Sequence, residues 1–146
     1  MFKKLFFLTL LCAVSATSFA AEPVRPEVAD SVKAWQGNEG IEVWTLRYGP
    51  RSENKALVQI TNADHDWDKK IQIMDVEKKD DRSDYSVNVN GKKIVVLIIN
   101  NNNLGKLYLP GEKGDHPIMY SELLSNEGNA QYFLSDFLKQ ETKPQS

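Results

Sequence analysis

The chain has almost no cysteine, little histidine and no glycosylation sequon, and each shortage narrows what it can be. Its one cysteine, Cys12, falls inside the apolar N-terminal run, so loss of that run leaves no thiol. Disulfides, thiol catalysis and cysteine-held metals are then excluded, and stability has to come from a buried core. Histidine occurs only at His65 and His116, and none of the 11 asparagines starts an Asn-x-Ser/Thr sequon. No Lys/Arg run exceeds two residues. Gly-x-Ser-x-Gly, His-Glu-x-x-His, P-loop and dinucleotide patterns are all missing, so no catalytic residues and no cofactor are assigned and the expectation is a protein that is not an enzyme.

What is present begins with an export signal. Met1-Phe2-Lys3-Lys4 precedes the apolar run Leu5 to Val14 and the small or polar residues Ser15 to Ala20, the three regions of a secretory signal peptide. Ser18 and Ala20 suit the shallow peptidase pockets, which places cleavage after Ala20. The apolar run is about half the length a bilayer-spanning helix needs, and Leu10-Leu11 before Cys12 is wrong for a lipid-anchored precursor. Residues 1–20 are therefore expected to be removed, giving a periplasmic or secreted product with no stable membrane insertion. Two of the 18 basic residues leave with the signal, so 16 face 20 acidic ones, a formal net charge of −4. Mild acidity of mixed sign argues against nucleic acid and anionic membranes. A chain this long forms one domain, expected over 26–141, after an extended lead-in at 21–25 and before a polar tail at 142–146.

Periodicity divides that domain. Pro26, Val28, Val32 and Trp35 suggest a short helix over about 26–36, because the apolar three recur at i, i+4 and i+7. From Ile41 the period becomes two, with strands expected at 41–48, 55–62, 71–78, 85–89, 92–99 and 104–109. In the third, Ile71 and Ile73 point to one side and Met74 and Val76 to the other, which calls for a bulge or a two-sided strand. Asn90-Gly91 is a hairpin signal, and the unbroken apolar stretch Ile94 to Ile99 reads as a central strand buried on both faces. Residues 118–124 fit strand or helix. Ala130, Phe133, Leu134, Phe137 and Leu138 form one helical stripe, with Asn126 as the candidate cap. The expected fold is α+β: an antiparallel sheet of about six strands, a short N-terminal helix and a longer amphipathic C-terminal helix. A small barrel or sandwich with the terminal helix over an open end is the alternative.

Two loops carry the candidate chemistry. Asp64, Asp66 and Asp68 alternate like the first ligands of a calcium loop, but Lys69 stands where glycine is required and Asp75 where a bidentate glutamate is usual. His65 and His116, joined by Asp64 or Asp115, could hold zinc if the two loops met. Trp67 in a charged loop has either to pack back or to meet a partner. The proline-bounded loop 110–117 displays Glu112, Lys113, Asp115 and His116 and could enter a partner's cleft. The functional expectation is an exported, non-catalytic protein that binds a protein partner in the cell envelope, as an inhibitor or immunity-type protein does, through Asp66, Trp67, Glu112, Lys113, Asp115 and His116. The alternative is a small-ligand or divalent-metal-binding domain using Asp64, His65, Asp66, Asp68 and His116.

Overall fold

The structure, a computed structural model, describes residues 24–142. The expected signal peptide, the lead-in as far as Pro23 and the tail beyond Thr142 lie outside the described residues. Eight strands follow one another: β1 (Lys33–Gly37), β2 (Glu42–Tyr48), β3 (Lys55–Thr61), β4 (Ile71–Lys78), β5 (Arg82–Val89), β6 (Lys92–Asn100), β7 (Leu104–Leu107) and β8 (His116–Tyr120). Two helices end the chain, α1 (Glu122–Glu127) and α2 (Ala130–Thr142). Each strand pairs antiparallel with the next, and β8 returns to β1 through Trp35 opposite Tyr120 and Gly37 opposite Ile118, closing a barrel.

This overturns the expected α+β fold. The six strands anticipated are all present, but the supposed N-terminal helix is extended chain followed by β1, and the ambiguous segment at 118–124 supplies the last residues of β8. These two segments are the pair that closes the barrel. The helical spacing of Val28, Val32 and Trp35 misleads because the three enter different environments. Val28 and Val32 lie in the apolar cluster outside the barrel, while Trp35 lies in the interior cluster. An extended chain that buries residues on both faces can match i, i+4, i+7 spacing without forming a turn of helix.

The closed sheet also replaces the expected central strand. In β6, Val96 is an extra residue between the pairs Ser86–Val95 and Tyr85–Leu97. The bulge lets Val96 and Leu97, consecutive in sequence, both reach the interior, where each is 0% exposed. Val95 and Ile98 remain half-buried. The unbroken apolar run thus encodes a bulge in a barrel wall. In β4 the pairing with β3 is regular, and the strand is two-sided: Met74 joins the interior cluster and Ile71 the outer one.

The outer cluster exists because α2 lies across the barrel wall. Phe133, Leu134 and Phe137 pack on Leu46, Leu57 and Ile71, with the Phe137 ring edge-on to Tyr48 at 5.7 Å. Burying such a side chain contributes about 1.5–3 kcal/mol. Polar contacts fix the helix at both ends. Asn129 Oδ1 accepts from the Tyr132 amide at 3.0 Å, so Asn129 is the cap and Asn126 lies within α1. The Gln140 amide group pairs with the Ile71 backbone through bonds of 2.9 and 2.8 Å. Arg25 donates to the Gln131 carbonyl and to Ser135 Oγ at 2.7 and 2.8 Å. Between the helices, Gly128 approaches the wall so closely that a Cβ there would lie 2.0 Å from Val32 Cγ2.

Candidate functional site

Alternating strand direction puts eight strand ends at each mouth of the barrel, and the two mouths differ. One is sealed. The loop between β3 and β4 folds back so that Asp68 bridges Ile60 and its Oδ1 accepts from the Ala63 amide at 3.1 Å. Trp67 packs against the interior cluster, which also contains Ala63 and Leu109. The two loops meet here, through His65 Nε2 and the Pro110 carbonyl at 2.8 Å. That carbonyl can only accept, and the Trp67 amide donates to His65 Nδ1 at 3.0 Å, so the bonds fit the Nε2–H tautomer. Both imidazole nitrogens are occupied within the protein.

His116 turns to a different partner, Glu112 Oε2 at 2.6 Å, and Asp115 lies 3.6 Å from Lys106 Nζ. Among the described residues no group of three His, Cys, Asp or Glu side chains is placed to hold a metal. Asp64, Asp66, Glu112, Lys113 and Asp115 are exposed, and Trp67 and His116 are half-buried. The residues proposed from the sequence therefore gather at the sealed end, where His65 ties one loop to the other, Asp68 holds its own loop and Glu112 holds His116.

The opposite mouth is open. It has two adjoining lobes of about 340 Å³ each, both lined by Lys33, Ser83 and Tyr85. Register explains who lines it. Lys33 is opposite Thr45, Arg47 opposite Ala56, and Lys78 opposite Ser83, so these cations occupy the inward face whose deeper positions are Trp35, Val43, Val58 and Met74. Arg51 in the β2–β3 connection and Lys55 at the start of β3 add two more charges. Among the described residues no carboxylate lines either lobe.

The charges of this mouth are only partly answered. Arg47 reaches Glu27 at 3.6 Å and donates to the Gly49 carbonyl. Among the described residues Lys33, Arg51, Lys55 and Lys78 make no ion pair. Their neighbours on the outer wall are the contrast: Lys79 and Arg82 lie 3.1 and 3.0 Å from the buried Asp84 carboxylate. Its Oδ1 meets Arg82 at ion-pair distance but not in hydrogen-bonding alignment.

Deeper in the second lobe, Trp35 meets Tyr120 edge-on at 5.7 Å. Trp35 is 3% exposed, and its indole N–H has no acceptor among the described residues. A donor buried without a partner costs about 1–3 kcal/mol. Burial pushes the Tyr85 phenol above its ordinary pKa, so it stays protonated and able to donate through neutral pH.

None of these mouth residues is marked by a motif. Their one sequence signal is a cation on the inward face of a strand near its end, as Arg47 is beside Val43 and Thr45, and that signal is readable only when the inward face is known. Comparison with protein-family models, curated proteins and solved structures finds no match to the chain.

Proposed function

We propose that the protein is an exported, non-catalytic binding domain that takes a small molecule at the open mouth of its barrel. The supporting observation is a concave, acid-free lining of five cations in a chain whose overall charge is negative. An eight-stranded barrel is about wide enough to be filled by side chains or to hold one small ligand, and here the filling stops short of one end. Clustering like charges is unfavourable in the empty state, so an anion that enters gains from every donor at once. Backbone amide shifts of the isotope-labelled domain test this during titration with small organic acids. Shifts should concentrate at Lys33, Thr45, Lys78 and Ser83. Shifts confined to 61–70 and 108–115, or none, would remove the reading. Intact-mass analysis of the native protein tests export: the proposal requires a product beginning at Ala21.

One observation favours the macromolecular reading instead. Leu104 and Met119 face each other across β7 and β8, 46% and 59% exposed, and Leu123 is 73% exposed. An apolar group of this kind suits a protein partner of the inhibitor or immunity type. A partner recovered by tagged pull-down and lost with Met119→Lys would support it, whereas recovery unaffected by that change would count against it.

A further inference from the structure

The open mouth combines cations with hydroxyl and amide side chains, which bears on its ligand. Lysine and arginine are donor-only groups, and the second lobe adds Tyr120 and Asn103, each able to donate and to accept. Among the described residues carboxylates, the strongest acceptors a protein has, are missing from the lining of both lobes. A fatty acid would answer the charge but leave the hydroxyl and amide side chains of the second lobe without oxygen partners. A neutral sugar would supply acceptors but leave the lysines unanswered.

We propose that the ligand is a sugar-sized, polyoxygenated organic anion, its charged group among Lys33, Arg47 and Lys78 and its remaining oxygens on the hydroxyl and amide side chains of the second lobe. This rests on the mouth being the binding site. Lys33, which lines both lobes, joins the two halves of the site. The volume of each lobe, about 340 Å³, is at the small end for ligand pockets and suits a molecule of this size. Carboxylate and phosphate ester share the chemistry required, so both forms of the acid are tested.

Calorimetric titration of the mature domain at low salt compares gluconate and glucose phosphate with glucose, octanoate and inorganic phosphate. At least one of the two sugar acids should bind about tenfold or more tightly than glucose, the worth of one charge-assisted hydrogen bond. It should also outcompete octanoate and inorganic phosphate, and its affinity should fall as salt rises. Lys33→Gln should weaken it by about tenfold. The indole N–H resonance of Trp35, assigned by its loss in Trp35→Phe, should move on binding, a readout that does not need the variant to bind. Glucose equal to the acids would overturn the role of charge. Octanoate preferred would overturn the role of the oxygens, and inorganic phosphate alone would reduce the site to simple anion attraction. In each of these cases the mouth would still be a site. Failure of all five probes to bind would sink both this proposal and the reading beneath it.

Discussion

At the sealed end of the barrel, polar groups find partners inside the protein. His65 uses both ring nitrogens, Asp68 holds the Ala63 amide, and Glu112 holds His116. At the open end, four cations and one buried indole N–H have no such partner among the described residues. The same eight strands supply both ends. The difference lies in what the loops return to: one end has Trp67 folded back onto the core, and among the described residues nothing equivalent covers the other. Polar groups that hold the loops near a plugged mouth stabilise the fold, whereas the cations gathered round the uncovered concavity are exposed to whatever enters it. Both histidines lie at the sealed end, away from the gathered cations.

Substitutions can separate the two ends by their effect on stability and on binding. The largest loss is expected for Trp67→Ala, which removes the plug. Urea unfolding should show a decrease of about 3 kcal/mol, the low end for an aromatic truncation because the indole is half-buried. Anion binding at the far mouth should persist, and its loss would show that the two ends are coupled. Gly105→Ala comes next. It lies on the inward face of β7, where a Cβ would be 2.7 Å from the Ile98 carbonyl oxygen and 2.9 Å from Ile99 Cδ1. Overpacking there should lower stability by about 1–3 kcal/mol; an unchanged urea midpoint would mean that the wall beneath the mouth yields freely.

Alkaline pH sharpens the comparison from the open side. The folded pKa of Tyr85 lies above its unfolded value near 10. Above that value the folded state keeps a proton that the unfolded state has lost, so stability falls as pH rises until the folded group ionises as well. Tyr85→Phe should reduce this alkaline slope in urea midpoints measured above pH 10; an identical slope would remove the burial argument. The smallest effect on stability is expected from Lys33→Gln and Lys78→Gln, within about 0.5 kcal/mol each. A larger loss would show that these lysines support the fold instead of facing a ligand.

Much of the architecture could be read along the chain. The six strands from Ile41 to Leu109, the Asn90-Gly91 hairpin with both residues at positive φ, and the apolar stripe of α2 all follow local rules, because alternation and helical spacing each report one face of one element. Closure could not be read that way. Residues 28–35 satisfy a helical template while adopting extended structure, and Tyr120 is separated from Trp35 by the whole of β2 to β7. The bulge at Val96 was hidden for a related reason: an apolar run states that two neighbours are buried, not which geometry buries them. The candidate site was the least legible part. Aspartates and histidines attract attention through their residue type, whereas Lys33, Arg47 and Lys78 are ordinary strand residues until the sheet curls and turns them toward one mouth.

Composition and local pattern by themselves determined that this protein, with a single cysteine, has no internal disulfide, that strands alternate from Ile41 onward and that an amphipathic helix follows them. Only the tertiary structure decided that the strands close on themselves, that Val28 and Trp35 belong to different cores, and that one mouth is plugged while the other gathers positive charge. The physical reason is that periodicity records which residues share a face, but the direction of that face, toward the interior or toward α2, depends on pairing between segments far apart in the chain.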